Sequence, residues 1–155
     1  MEERFMREAI GLSREKMRNN QGGPFGAVIV RKGKIIARGW NQVTSTNDPT
    51  AHAEVVAIRD ACRKLRDFRL QGCELYTSCE PCPMCLSAIY WARLDRIYYA
   101  ATRHDAAEAG FDDAFLYREI PLPPESRTLP CRPLLHHEAV AAFADWKSKV
   151  DKTPY

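Results

Sequence analysis

Asn47-Asp48-Pro49-Thr50-Ala51-His52-Ala53-Glu54 and, further along, Tyr76-Thr77-Ser78-Cys79-Glu80-Pro81-Cys82-Pro83-Met84-Cys85 are the two stretches from which the fold can be read. Each carries turn or strand residues that lead into a helical pattern. Asn47 to Thr50 supply the turn formers that open a helix with apolar positions at Val55, Ile58, Ala61, Cys62 and Leu65. Pro83 suits the first turn of a second helix, running to about Trp91. In the middle of a helix, His52 and Glu54 would point to nearly opposite sides. At a helix N-terminus they can converge. Cys82 and Cys85, three apart, are neighbours on one face at the other helix start. Both N-termini then aim partial positive charge at the space between them, which favours thiolates.

Working outward, Met6, Ala9, Ile10, Ser13 and Met17 recur at helical spacing and predict a first helix ending near Asn19-Asn20. Gly22-Gly23-Pro24 breaks the chain. Phe25 to Val30 and Ile35 to Trp40 read as strands joined in a hairpin at Arg31-Lys32-Gly33-Lys34. Cys73 to Ser78 and Ile97 to Ala101 are further strands, followed by a short acidic turn or helix from Asp105 to Tyr117. Pro121, Pro123, Pro124, Pro130 and Pro133 make residues 121–133 an extended, semi-rigid connector to a last helix, Glu138 to Val150, and a tail. A hairpin followed by alternating strands and helices predicts a three-layer α/β/α domain with a mixed central sheet. At 155 residues the chain is read as a single domain, 1–155.

Composition narrows the partners. The net charge is only +3, and the basic residues are scattered among acids, so no nucleic-acid partner is expected. No stretch approaches the roughly 20 apolar residues of a membrane span. Met1-Glu2-Glu3-Arg4 is followed by no apolar signal core, so the six cysteines are read as reduced thiols of a cytoplasmic protein.

His52, Cys82 and Cys85 offer one imidazole and two thiolates, a donor set that suits one zinc ion per chain. Three protein ligands leave a fourth tetrahedral position for water, as in catalytic sites, and Glu54 is placed to handle that water's protons. The alternative is a closed structural site with Cys79 as fourth ligand, which leaves Glu54 without a purpose. Elsewhere the plainer readings hold. Cys62 is a core thiol, Cys73 and Cys131 pack beside strands, and His104 and His136-His137 are solvated. Phe5, Phe68, Phe143 and Trp146 are expected to pack, while Tyr90 and Trp91 suit an interface or a pocket wall.

The H-x-E and P-C-x-x-C motifs together are the signature of zinc-dependent nucleobase deaminases. From first helix to last residue the chain resembles the cytidine-deaminase-like superfamily, and within it the small bacterial guanine deaminases. The resemblance rests on Gly22 to Ala27, Asn47 to Glu54, Tyr76 to Cys85, Asp105 to Asp113 and the terminal Tyr155. The zinc motifs do not choose the base; the last two features point to guanine. The segment from Pro121 to Lys152 matches no motif.

The resemblance implies hydrolytic deamination of guanine to xanthine and ammonia, with Glu54 carrying the protons. It places Phe25, Asn41 and the backbone at Ala53 around the base, with Asp113 (or its neighbour Asp112) reading guanine's N–H edge and Tyr155 contacting the bound base. It further implies a homodimer with exchanged C-terminal segments. Competing readings are a deaminase of cytosine, cytidine, guanosine or tRNA adenosine, and a non-catalytic zinc-stabilised interaction module. A tRNA editor should carry a basic surface for phosphates, and the sequence shows none.

Overall fold

The computed structural model describes residues 2–155, and its architecture follows from how one short strand serves two cores. Strand β1 (Gly26–Arg31) pairs antiparallel with β2 (Lys34–Trp40) on one side and with β3 (Cys73–Cys79) on the other. Strand β4 (Arg96–Ala101) pairs parallel with β3, giving the mixed order β2-β1-β3-β4. Because side chains alternate along a strand, Ala27 and Ile29 join Ala37, Cys73 and Leu75 in one core, while Val28 and Val30 join Tyr76 in another. All of these residues are buried, the near-continuous apolar reading of a sheet covered on both faces.

Helix α1 (Glu2–Arg18) covers the Val28 face with Phe5 and Leu12. The other face receives α3 (Ala53–Leu65) through Ala53, Ala57 and Ala61, and α4 (Pro83–Ala92) through Ile89 and Ala92. Three layers result, as expected. The hairpin turn at Lys32 and Gly33, with φ of 49° and 70°, has the positive dihedrals of the turn type that matches strand twist. A short helix α2 (Val43–Thr46), which the sequence pattern does not announce, leads from β2 toward α3.

Alanines face the sheet along α3, and the sheet answers with Gly39. A Cβ there would sit 2.1 Å from the Ala53 carbonyl oxygen and 2.6 Å from the Ala57 nitrogen. The helix therefore lies with its first turn directly on the β2 backbone. Gly26 admits α1 in the same way, a Cβ there falling 2.3 Å from the Ala9 carbonyl oxygen.

The chain divides into two compact units, Met1–Asp113 and Ala114–Tyr155. The first carries the sheet together with α5 (Arg103–Glu108). The second holds α6 (Ala114–Glu119), a 3-10 turn at Pro124–Ser126 and α7 (His136–Ser148). The boundary falls before the proline-rich stretch, which lies inside the second unit. That stretch is less extended than its prolines suggest. Arg127 Nε donates to the Leu122 carbonyl at 3.0 Å, and the Thr128 nitrogen and hydroxyl both donate to the Glu119 carboxylate at 2.8 Å.

Several local expectations need correction. The buried stripe of α1 runs through Phe5, Ala9, Leu12 and Ser13, leaving Met17 exposed near the helix end. The segment from Asp105 to Tyr117 forms parts of two helices, interrupted at Gly110, whose φ of 92° is outside the helical range. Phe68, Phe143, Trp146 and Cys131 are exposed rather than packed. They lie in loops or on α7, where neighbours in sequence do not supply a core.

Candidate active site

Two helix starts meet over the end of β3. His52 is the N-cap of α3 with extended backbone (φ −70°, ψ 155°), and Cys82 is the N-cap of α4 (φ −64°, ψ 168°). Neither side chain caps its own helix. Both turn toward each other instead. His52 Nδ1 lies 3.6 Å from Cys82 Sγ and 3.4 Å from Cys85 Sγ. Tetrahedral zinc with bonds of roughly 2.1 Å to nitrogen and 2.3 Å to sulfur sets its N and S ligands about 3.6 Å apart, so these residues fit the ion. Their ligand atoms all lie within 4.8 Å of one another, and this trio alone forms such a cluster among the described residues.

Cys79 is not part of the cluster. Its thiol donates to the Thr102 carbonyl at 3.5 Å, and burial pushes its pKa up to about 11. With its thiol turned to that carbonyl, Cys79 stands outside the His52, Cys82 and Cys85 group, and the closed structural reading has no fourth ligand in place. Cys82 goes the other way, held down to about 4 by hydrogen bonds from Cys85 and His52. Cys85, the donor of that pair, is raised correspondingly, and the bond to Cys82 raises His52.

Glu54, the second residue of α3, is buried at 6% exposure. Thr77 donates its hydroxyl to Oε1 at 3.1 Å, and Cys85 Sγ lies 3.4 Å from Oε2. Desolvation pushes the Glu54 carboxyl upward. A raised carboxyl that still accepts hydrogen bonds is suited to exchanging protons, which a fixed ion-paired carboxylate is not.

A cavity of about 120 Å³ opens over these groups, with His52, Glu54, Cys79 and Cys82 at one side. Its walls bring together three further expected residues, Phe25, Asn41 and Asp113. Asn41 Oδ1 accepts from the backbone nitrogens of Gly23 (3.3 Å) and Val43 (3.2 Å). Gly22 allows this crossing, since with φ of 150° a Cβ there would fall 1.7 Å from the Asn41 carbonyl oxygen. Asp113 is half-buried, and desolvation raises its pKa. Ala53 is wholly buried as the first residue of α3 and is not among the lining side chains. Asp112 is exposed, and Tyr155 is an exposed residue of the second unit.

Sequence reasoning missed Glu80, Arg103, Ala106 and Phe111, which also line the cavity. Phe111 meets Phe25 edge to face, with ring centroids 4.9 Å apart. Glu80 accepts from the Arg103 backbone nitrogen at 3.0 Å, tying the start of α5 to the metal loop. Thr102 and Asp105 cap that helix reciprocally. The pattern T-x-x-D was visible as a capping signal, but the aromatic pairing across some eighty residues had none.

Residues 1–101 match the family described as the cytidine and deoxycytidylate deaminase zinc-binding region. The chain belongs to this deaminase family. It is 54% identical to the guanine deaminase of Bacillus subtilis over 99% of this chain and 98% of that one. The X-ray structure of the B. subtilis protein superimposes with a TM-score of 0.96, again over 99% and 98% of the two chains. The structure of a guanine deaminase from Nitrosomonas europaea matches with a TM-score of 0.67 at 30% identity, over 94% of this chain and 84% of that one. A tRNA-specific adenosine deaminase of Aquifex aeolicus is 44% identical, but over only 64% of this chain and 65% of its own. The zinc motifs are thus shared across the deaminase family, whereas the likeness to guanine deaminases continues through the second unit.

Proposed function

We propose that this protein is a zinc-dependent guanine deaminase, converting guanine and water to xanthine and ammonia. The observation that carries the reading is a single cavity in which a buried carboxylate, Glu54, and a second carboxylate, Asp113, face the space beside His52 and Cys82. At about 120 Å³ the cavity is small beside the roughly 300–1,000 Å³ of drug-sized sites, which suits a free base. Full-length likeness to the B. subtilis guanine deaminase supports the same substrate.

Zinc held by His52, Cys82 and Cys85 would supply a water whose pKa is lowered far from its bulk value, to roughly 7. Glu54 takes one proton from water and delivers it to N3 as the water oxygen adds to C2. It then takes the remaining proton of that oxygen and gives it to the amine. The C2–N bond breaks with its electron pair on nitrogen, ammonia leaves, and C2 becomes a carbonyl. One carboxylate can serve every step because the donor and acceptor atoms are neighbours.

Asp113 selects the base. An ionised carboxylate only accepts hydrogen bonds, and guanine presents N–H donors at N1 and its exocyclic amine. Adenine would present a lone pair at N1 and be repelled. Asn41, whose Oδ1 is taken by Gly23 and Val43, offers its amide N–H groups to an acceptor on the base such as O6. Phe25 provides an apolar wall, and the backbone at Ala53, at a helix N-terminus, contributes an N–H.

Tyr155 is proposed as a further contact to the base, in a cytoplasmic homodimer that exchanges C-terminal segments. Exposed Val140, Phe143 and Trp146, three apart on α7, support such a dimer because a bare apolar stripe calls for cover. Among the described residues no helix is long and apolar enough to cross a membrane.

Ammonia release from a panel of free bases and nucleosides, with native protein and Asp113→Ala, tests the reading. Guanine should be preferred by the native enzyme, and Asp113→Ala should lose guanine turnover while keeping zinc. Equal activity of Asp113→Ala on guanine would refute the assignment. A native preference for cytosine, cytidine or adenosine would refute the substrate.

A further inference from the structure

Strand β3 ends in a way its burial does not require. Cys73 and Leu75 put apolar side chains into the core beneath α3, but the next position on that face is Thr77, a hydroxyl at 1% exposure. The following residue, Ser78, accepts from the Gly26 nitrogen at 3.0 Å and so completes the hydrogen bonding at the start of β1. Thr77 has no such backbone duty. Its Oγ1 reaches Glu54 Oε1 at 3.1 Å, inside the buried junction of strand and helix.

We infer that Thr77 is a positioning residue for the proton carrier: it fixes the Glu54 carboxylate so that one oxygen is held and the other is turned to the reacting water. The geometry supports this from both ends. Thr77 lies on an interior strand, opposite Ala27 of β1 and Tyr99 of β4, so its backbone is held on both sides. A β-branched side chain has little χ1 freedom, so its hydroxyl direction is set by the strand. Glu54 rises from the α3 turn that rests on Gly39, so its backbone is equally fixed. Between these two anchors the carboxylate group can still rotate about its terminal torsion, which is broad for such side chains. The hydroxyl takes Oε1, and Oε2 lies on the metal side, 3.4 Å from Cys85 Sγ. Holding a proton-transfer group within a small angular range is worth far more in rate than in stability, because misplacement by about 1 Å costs on the order of 100-fold.

The inference rests on Glu54 being the proton carrier, and the experiment separates the two ideas. Thr77→Val removes the hydroxyl at nearly constant volume, and Thr77→Ser keeps it. Turnover of guanine, zinc content and melting temperature are measured for each, alone and with Glu54→Gln. Thr77→Val should lower kcat roughly 10- to 100-fold, the worth of a hydrogen bond to a charged group. Its KM should stay within about twofold, as expected when an interaction of the transition state is lost, with one zinc per chain retained. Thr77→Ser should recover most of the native kcat. In the Glu54→Gln background, Thr77→Val should leave the residual rate unchanged, since the group it positions no longer carries protons. Native kcat in Thr77→Val, an equal loss in folded, zinc-loaded Thr77→Ser, or a full further loss on top of Glu54→Gln would each overturn the inference. Should Thr77→Val fail to accumulate as folded protein, Thr77→Ala is read by the same criteria. Native turnover in Glu54→Gln itself would bring down the reading of Glu54; an inactive Glu54→Gln beside a fully active Thr77→Val would bring down only the role of Thr77.

Discussion

Replacing Gly39 by alanine should damage catalysis from a position that lines no cavity and carries no functional group. The added methyl would lie 2.1 Å from the Ala53 carbonyl oxygen, 2.6 Å from the Ala57 nitrogen and 3.0 Å from the Ala57 Cβ. The two nearest of these are backbone atoms of α3, so no side chain can swing away. The first turn of the helix must recede by roughly 1 Å to restore ordinary contact distances. That turn carries Glu54, and His52 is its N-cap. A shift of about 1 Å in a catalytic group costs on the order of 100-fold in rate. Overpacking a close core contact costs roughly 1–3 kcal/mol, which in a chain of this size lowers Tm by about 2–4 °C per kcal/mol. The expected result is a folded protein with a melting temperature several degrees lower, weakened zinc retention and turnover down about 100-fold. Ammonia release from guanine, metal analysis and a thermal melt read the three effects. Gly11→Ala is the control: beyond its own helix backbone and chain neighbours no atom lies within 4 Å of the added methyl, and a helix-interior glycine replaced by alanine should stabilise slightly. Native turnover with one zinc in Gly39→Ala would refute the claim that the helix rests on this glycine.

Other expectations follow from the site. Glu54→Gln keeps size but cannot carry protons, so turnover should fall by at least roughly 10²–10⁴-fold while zinc stays at one per chain; near-native rates would sink the mechanism. Cys85→Ser should lose both zinc and activity, whereas Cys79→Ser should keep the metal, and metal analysis of the two variants decides it. With zinc stripped by a chelator, Cys82, held down to about 4, is a thiolate throughout the neutral range and should alkylate readily. Cys79, pushed up to about 11, remains a thiol there and should not; mass spectrometry of alkylated peptides reads the difference, and equal labelling would contradict it. Deleting Thr153 to Tyr155 should reduce guanine turnover with zinc and fold intact, while sedimentation of the full chain at micromolar concentration should show a dimer.

The parts of this molecule that were legible in its sequence share a physical cause. His52, Cys82 and Cys85 could be placed because chemistry and spacing coincide with helix starts, and a helix start is marked locally by Asn47 to Thr50 and by Pro83. The hairpin was legible for the same reason, since Lys32 and Gly33 make a turn that depends on adjacent residues only. What stayed hidden depends on contacts between distant positions. Thr77 reads as an ordinary strand residue until α3 is laid across β3, and Gly39 reads as a weak point in β2 until Ala53 and Ala57 are set on it. Phe111 meets Phe25 from a distant part of the chain, where Glu80 also accepts from the Arg103 nitrogen at the start of α5. The second unit resisted reading most, because Val140, Phe143 and Trp146 make an apolar stripe that nothing in this chain's own sequence pattern explains. Such a stripe on a surface helix is costly to expose, so its cover should come from outside α7's own neighbours in sequence. The proposed dimer meets that requirement and makes a separate demand: Phe143→Glu, which adds charge to the stripe without touching the zinc residues, should shift the sedimentation profile toward monomer. If this variant sediments as the native protein does, the stripe is not the dimer contact.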